Sequence, residues 1–294
     1  MPTPEQRRAL VTGATRGIGR ATALALAAAG WDVAVTGRTA RRGEGRDDSD
    51  TGGGRPLPGS LEETGEGIRA EGRRSLELVA DLHDRVGLEA AVGRALDEWD
   101  GIDLLVNNAV DTAPGSMVSI LDLSVAQLES KLSANAVAQF VLIKAVLPGM
   151  LERGGGTIVD ISSHTATADP PAPVGEGGWG LAYAASKAAF HRFAPLLAIE
   201  LGDRGIRAYN VDPGYVETER QQANSVALGL LGRYAGAPPS VPASAVAWMV
   251  DHPEALENGQ TVRALKLALV EGLHPDWRPA AGDGLSHTGV DPGS

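Results

Sequence analysis

The sequence contains no cysteine. Disulfide bonds, thiolate nucleophiles and sulfur-ligated zinc are therefore excluded. Aromatic residues are scarce, at 4% of the chain, so its apolar mass comes mainly from Ala, Val, Leu and Ile. Such side chains suit helices packed on a buried sheet. Long apolar runs are missing too: no stretch of about 18 uninterrupted apolar residues occurs, which argues against a membrane span. The opening Met1-Pro2-Thr3-Pro4-Glu5-Gln6 lacks the basic-then-apolar character of a secretory signal, and a cytoplasmic location is expected. Positive charge is in deficit. A net charge of -11 disfavours nucleic acid, whose phosphates need concentrated Lys and Arg. The six histidines, at 83, 164, 191, 252, 274 and 287, form no close ligand pair, so no metal site is expected.

What the chain does contain is a regular alternation of short β-rich runs and longer helical stretches, as in repeated βαβ units. Strands are predicted at Arg8–Thr12, Asp32–Thr36, Ser75–Val79, Ile102–Val106, Thr157–Ile161 and Arg207–Val211. Helices are predicted over Gly17–Ala29 and over residues 61–71, 86–99, 124–152 and 181–201. Two helix starts carry capping boxes, Ser60-Leu61-Glu62-Glu63 and Ser124-Val125-Ala126-Gln127. Gly30 fits the end of the first helix. Pro195 should kink the last of them or cost it about 3 kcal/mol. The expectation is a single α/β domain over residues 1–273, a doubly wound parallel sheet of about seven strands with helices on both faces. Residues 39–59, rich in Gly, Arg and Asp, read as an insertion serving spacing or an interface. Residues 168–180 form a Pro/Gly loop, and residues 274–294 a loosely ordered tail.

Thr12-Gly13-Ala14-Thr15-Arg16-Gly17-Ile18-Gly19 joins the first strand to the first helix. Glycines serve where backbone must turn sharply and approach a pyrophosphate, and the helix beyond offers free N–H groups and a positive dipole end. A plain tight turn is the alternative, weakened by the placement between strand and helix. At the end of the second strand, an acidic residue would bind a ribose 2′-hydroxyl and repel a 2′-phosphate. Here that place reads Thr36-Gly37-Arg38-Thr39, with no carboxylate before Glu44. Arg38 could pair with a 2′-phosphate, with Arg16 on its other side, which favours NADP(H) over NAD(H). Arginines merely solvated in a loop are the alternative.

Tyr183-Ala184-Ala185-Ser186-Lys187 lies near a predicted helix start, and a spacing of four puts Tyr183 and Lys187 on one face. An ammonium there lowers the phenol pKa from about 10 and makes Tyr183 a workable general acid or base. With four tyrosines and four lysines in the chain, such a pair seldom arises by chance. A surface tyrosine beside a solvated lysine is the bland alternative. Ser162 and Ser163 end one buried strand and Asn107-Asn108-Ala109 end another, in the layer where doubly wound sheets bind ligands. Asn135 interrupts an otherwise apolar helix, where a polar side chain needs a partner.

Glycine turn, Asp81, Asn-Asn-Ala, Asn135, Ser163, Tyr-x-x-x-Lys and Asp212-Pro213-Gly214 occur in the order of the short-chain dehydrogenase/reductase family, which the chain resembles over about residues 7–265. The resemblance implies a Rossmann-type fold and an oxidoreductase interconverting a ketone or aldehyde and an alcohol by hydride transfer. It implies four catalytic residues. Tyr183 would exchange a proton with the substrate oxygen, and Ser163 would hydrogen-bond that oxygen. Lys187 would hold the nicotinamide ribose, and Asn135 a water of a proton relay. Cofactor contacts are implied for Gly13, Thr15, Arg16, Gly17, Ile18 and Gly19 in the turn, for Arg38, and for Asp81 and Leu82 at the adenine. Asn107, Asn108 and Ala109 would line the ribose, and Pro213, Gly214, Val216 and Thr218 would orient the carboxamide.

Substrate contacts would fall on His164, Trp179 and Tyr215, under a lid over residues 215–242. Pro, Gly and small apolar residues in these segments point to a fairly hydrophobic carbonyl or alcohol as substrate, and further copies of the chain, as a dimer or tetramer, are expected partners. Neither nucleic acid nor membrane is among them. The chain departs from the family pattern at Val110, where glycine is usual. It also lacks Val-Asp-Gly-Gly after Asn258-Gly259-Gln260-Thr261-Val262, which resembles the family's last strand. A competing reading is an NADP-binding sensor or scaffold that keeps the fold without the reaction, and it predicts a broken tetrad.

Overall fold

Each central strand carries apolar side chains on both of its faces, which only a sheet covered twice can bury. The computed structural model, which describes residues 7–50, 52–227 and 236–279, contains that sheet. Its strands are β1 (Arg8–Val11), β2 (Asp32–Gly37), β3 (Ser75–Val79), β4 (Leu104–Asn107), β5 (Gly156–Ile161), β6 (Ile206–Asp212) and β7 (Thr261–Arg263). Among the described residues they form one seven-stranded parallel sheet, ordered β3-β2-β1-β4-β5-β6-β7. Val11 pairs with Val35 on one side and with Val106 on the other. The doubly wound, Rossmann-type fold expected from the sequence is the one adopted.

The helices are α1 (Gly17–Ala28), α2 (Leu61–Ala70), α3 (Arg85–Trp99), α4 (Val125–Leu132), α5 (Ala138–Glu152), α6 (Leu181–His191), α7 (Phe193–Leu201), α8 (Glu219–Ala227), α9 (Ser240–Asp251) and α10 (Ala264–Val270). On one face of the sheet, Val11, Val33, Val35 and Val159 share a core with Leu26 of α1 and Val246 and Met249 of α9. On the other, Leu10, Ala34, Leu105 and Ile158 meet Val92 of α3 and Leu142 and Val146 of α5. Neighbouring residues of one strand thus serve different layers, and a one-residue slip would exchange them.

Helix starts follow their side chains. Ser124 and Gln127 close a full capping box on α4. Ser60 accepts from the Glu63 amide at the start of α2, and Asp84 from the Gly87 amide at the start of α3. α1 is followed by Gly30 at a φ of 89°.

Two helices differ from expectation. The helix expected over 124–152 contains a π turn at Ser133–Val137, an extra residue that a 3.6-residue apolar pattern does not mark. The helix expected over 181–201 divides at Arg192 instead of kinking at Pro195. Pro195 then falls in the first turn of α7, where its missing N–H leaves no bond unmade. By length and composition the run Val125–Glu152 could cross a membrane, but 56% of its most apolar window is buried inside the fold. The tail expected to be loose from residue 274 stays attached at its start. His274 bonds Ser240 at 2.9 Å, and Trp277 packs against the cluster of Val241 and Leu265. Residues 280–294 of that tail, 228–235 of the expected lid and the first six residues of the chain lie outside the described residues.

Candidate active site

The winding of the sheet reverses between β1 and β4, so a ligand cleft opens at the carboxyl ends of those strands. A cavity of about 510 Å³ lies there, walled by the glycine turn, Arg38, Asp81 and Asn108. Thr12 ties the two strand ends together. Its hydroxyl accepts from the amides of Asn108 and Ala109 at 3.0 Å each, while Asn108 Nδ2 donates back to the Thr12 carbonyl at 2.9 Å. These bonds draw the backbones close. A Cβ on Gly13, whose φ is 64°, would lie 2.8 Å from Ala109 Cα, and one on Gly19 would lie 2.3 Å from Asn108 Nδ2. Only glycine fits either place.

Beyond the turn α1 presents its N-terminus, and the Gly17 amide already holds an anion: Glu219 Oε2 accepts from it at 2.9 Å. A nicotinamide dinucleotide fits this donor set, with a side-chain-free cradle and an anion position at the helix end. Thr15, Arg16, Ile18, Asp81, Leu82, Ala109 and Thr218 line the same cavity. Asn107 does not. It is fully buried and donates to Asp160 Oδ1 at 2.9 Å, so the ribose contact expected of it is replaced by a structural one. Pro213, Gly214 and Val216 follow β6 outside the walls of this cavity, Val216 being bridged to Ala237.

The reacting groups come from β5, α6 and the π turn. Ser162 and Ser163 leave β5 in opposite directions. Ser162 bonds His191 Nδ1 at 2.8 Å, whereas Ser163 Oγ accepts from the Thr165 amide at 3.3 Å and the Thr165 hydroxyl at 3.1 Å and lies close enough to Tyr183 to favour its phenolate. α6 presents Tyr183 in its first turn and Lys187 one turn on. Lys187 is buried, and its Nζ donates to the Ile161 carbonyl at 2.7 Å. Ser186 Oγ donates to the Tyr183 carbonyl and accepts from Asn135 Nδ2 at 3.0 Å. Asn135 Oδ1 accepts from the Asp111 amide at 2.7 Å, so this side chain ties α6 to the loop after β4. Asn135, Ser163, Tyr183 and Lys187 are thus all present and gathered at one place.

Burial pushes Lys187 down to about 8, opposed by the charge of Asp160. Burial likewise pushes Asp160 up to about 7, against the Asn107 hydrogen bond and the Lys187 charge. Tyr183 is raised above its ordinary value, chiefly by burial and further by Asp212, with neighbouring Ser163 working the other way. The sequence led us to expect a Tyr183 lowered by Lys187. Among the chain's own groups burial dominates instead, and Lys187 Nζ faces the Ile161 carbonyl. Of the expected substrate residues, His164 and Trp179 meet edge-on with ring centroids 6.3 Å apart. Tyr215, after β6, accepts a hydrogen bond from Gln221 at 3.0 Å.

Sequence reasoning left the 39–59 insertion outside the chemistry. The structure folds it back over the cleft, with Arg46 and Pro56 bridged as antiparallel partners. Asp48 Oδ2 lies 2.5 Å from Arg38 Nη2, and its Oδ1 accepts from Thr112 Oγ1 at 2.6 Å. Arg16, expected beside a 2′-phosphate, donates instead to the carbonyls of Pro58 at 2.8 Å and Gly59 at 3.2 Å. Glu219 and Arg220 were missed as well. The available signal was the acidic group Asp47, Asp48 and Asp50 beside Arg46.

A glycine cradle, a helix-end anion position and a Ser–Tyr–Lys cluster on a doubly wound sheet define a dinucleotide-dependent oxidoreductase. The model of the short chain dehydrogenase family matches residues 7–48 and 57–227, and the chain belongs to that family as an NAD(P)-dependent short-chain dehydrogenase/reductase. It is 31% identical over 265 residues to 3-oxoacyl-[acyl-carrier-protein] reductase FabG of Escherichia coli, covering 88% of this chain and 95% of that one. It is 31% identical over 217 residues to 2,3-dihydro-2,3-dihydroxybenzoate dehydrogenase of Bacillus subtilis, covering 74% and 72%. A short chain dehydrogenase of Pseudocercospora fijiensis is 33% identical over 214 residues; the match takes in 72% of this chain and 60% of that protein's length. A crystal structure of a short-chain type dehydrogenase/reductase from Mycobacterium marinum superposes with a TM-score of 0.70 at 25% identity, covering 87% and 92%.

Proposed function

We propose that this chain is an NADP(H)-dependent oxidoreductase that interconverts a ketone or aldehyde and the corresponding alcohol, with Tyr183 as general acid and base. The observation that carries the reading is the placement of Ser163, just after β5, against the Tyr183 phenol in the first turn of α6, beside buried Lys187. Two hydroxyls converge there, and a carbonyl oxygen placed between them accepts from both. In reduction Tyr183 gives its proton to that oxygen; in oxidation it takes one back. Lys187, buried one turn on, would hold the nicotinamide ribose. A bound nicotinamide supplies or accepts the hydride. Gly13, Thr15, Gly17, Ile18 and Gly19 would receive its pyrophosphate, Asp81 and Leu82 its adenine, and Thr218 its carboxamide.

The choice of NADP(H) rests on the end of β2. A Cβ on Gly37 would lie 2.6 Å from Thr15 Cγ2, so an acidic side chain there would have to displace Thr15. Arg38 follows, and its planar fork suits a phosphate. Relatives named a 3-oxoacyl reductase and a 2,3-dihydro-2,3-dihydroxybenzoate dehydrogenase fit an exchange between carbonyl and alcohol. His164, Trp179 and Tyr215 favour a fairly hydrophobic substrate. The exposed apolar side chains Phe140 on α5 and Leu196 and Ile199 on α7 support assembly into dimers or tetramers, and the same reading places the enzyme in the cytoplasm.

A panel of hydrophobic ketones, aldehydes and secondary alcohols, followed through NADPH absorbance, tests the reaction. Turnover is expected, and Tyr183→Phe should abolish it while NADPH still binds. Tight NADPH binding with no turnover on any member of the panel would sink the enzymatic reading.

A further inference from the structure

Arg38, the residue assigned to the 2′-phosphate, already has an anionic partner in its own chain. The Asp48 carboxylate is fixed from three sides, by Arg38, by Thr112 Oγ1 at 2.6 Å from the loop after β4, and by Arg220 Nη2 at 3.5 Å from α8. Burial works against its charge, but Thr112 and Arg38 outweigh it and hold the carboxyl below its ordinary pKa. Asp48 is therefore an anion at neutral pH. It is also well anchored. Asp47, fully buried, pairs with Arg55 at 2.9 Å and accepts from the Ser49 hydroxyl at 2.7 Å. On the far side of the cleft, Asp50 accepts from the amides of Gly115 at 2.8 Å and Met117 at 3.2 Å. The family match stops at Asp48 and resumes at Leu57, so the part of the strap that follows Asp48 is an addition to the shared frame.

We propose that Asp48 discriminates between cofactors: it is a tethered anion that competes with the 2′-phosphate of NADP(H) for Arg38 and Arg220 and leaves NAD(H) unopposed. The inference rests on the assignment of Arg38 to the 2′-phosphate. One guanidinium cannot hold a carboxylate and a phosphate side by side without bringing two like charges together, so NADP(H) must displace Asp48 or bind beside it at a loss. A ribose 2′-hydroxyl meets no such repulsion and can donate to the carboxylate. Arg220 is poised for the exchange. Its Nη1 is buried without a hydrogen-bond partner among the described residues, a donor that a phosphate oxygen would satisfy.

Glu219 supplies the contrast. Its carboxylate sits on the Gly17 amide, at a position for the pyrophosphate that both cofactors share. Removing its charge should help NADPH and NADH alike. Removing that of Asp48 should help NADPH alone.

Dissociation constants of NADPH and NADH, measured at fixed ionic strength for the wild type, Asp48→Asn, Glu219→Gln and Arg38→Ala, test the proposal. Asp48→Asn should bind NADPH about tenfold tighter, with NADH within about twofold of wild type, and the gain should shrink as salt is added. Glu219→Gln should leave the NADPH-to-NADH ratio unchanged. Asp48→Ser, with thermal unfolding as a check on folding, carries the same expectation should Asn disturb the strap. An unaltered ratio in both Asp48 variants, with Arg38→Ala still losing NADPH preferentially, overturns the competition and leaves the 2′-phosphate assignment standing. An Arg38→Ala protein that weakens both cofactors equally overturns that assignment, and the competition with it.

Discussion

The Lys131 ammonium and the Asp111 carboxylate meet at 3.1 Å, their side chains 0% and 3% exposed. Lys131 also donates to the carbonyls of Asp111 and Ala113, so its charge is satisfied within the loop after β4. Burial opposes the Asp111 charge, yet the Ala113 amide and Lys131 hold its carboxyl below its ordinary pKa. That loop matters to the site, because its Asp111 amide orients Asn135.

Lys131→Met would leave Asp111 buried with only the half-exposed His83 imidazole, 3.5 Å from its Oδ1, beside it. Breaking a buried pair from one side costs about 3–5 kcal/mol, and urea unfolding should register a loss of that size. The double variant Lys131→Met/Asp111→Asn should recover much of it. Equal stability of the single variant and wild type would contradict the account.

Asp160 predicts a pH dependence of stability. Its carboxyl titrates near 3.8 in an unfolded chain and near 7 when buried in β5. Between those values the folded protein holds the extra proton. The stability owed to this group is therefore complete below about pH 3.8 and lost as pH rises through about 7. Asp160→Asn, which mimics the protonated carboxyl, should be more stable than wild type at pH 8, and the difference should narrow towards pH 5. Parallel stability profiles would refute this.

On the proposed mechanism Ser163→Ala removes both a donor to the substrate oxygen and the polar neighbour that lowers Tyr183. Loss of one such donor costs about 10²–10³-fold in kcat. Tyr183 should then ionise at higher pH, so the rising limb of the pH profile for alcohol oxidation should move upward. A lower rate with an unmoved limb would show that Ser163 acts on the substrate alone.

Gly13→Ala forces a methyl to within 2.8 Å of Ala109 Cα at a positive φ. Because the proposed reading seats a pyrophosphate on this turn, NADPH and NADH should weaken together, by about tenfold or more. Calorimetric titration of both cofactors measures this, and a loss confined to one of them would be the contrary result.

Much of the architecture was legible because its signals are local. Strands with apolar residues on both faces, separated by amphipathic helices, specify a doubly covered sheet before any contact is known. Ser163, Tyr183 and Lys187 were legible for the same reason, lying at a strand end and at a one-turn spacing. Asn107 looked like a cofactor contact because it adjoins Asn108. The two-residue period of a strand sends adjacent side chains to opposite faces, and Asn107 turns into the core. The pairing of Asp160 with Asn107 required the β4–β5 register, which no local signal carries. Asp48, Glu219 and Arg220 carry no periodic signal, and their partners lie on other segments of the chain. Only the folded loops bring them to the cleft.

β1 is completed from a distance. Its neighbour β4 arrives late, and the bond between Thr12 and Val106 joins residues 94 apart in the chain. While a ribosome is still making the intervening segment, β1, β2 and β3 can only form a half-sheet whose β1 edge is open. Closing so long a loop is slow, and unpaired strand edges on nascent chains adhere to one another. The topology that opens a ligand cleft between β1 and β4 thus also makes this seam the place where unfinished chains stick together.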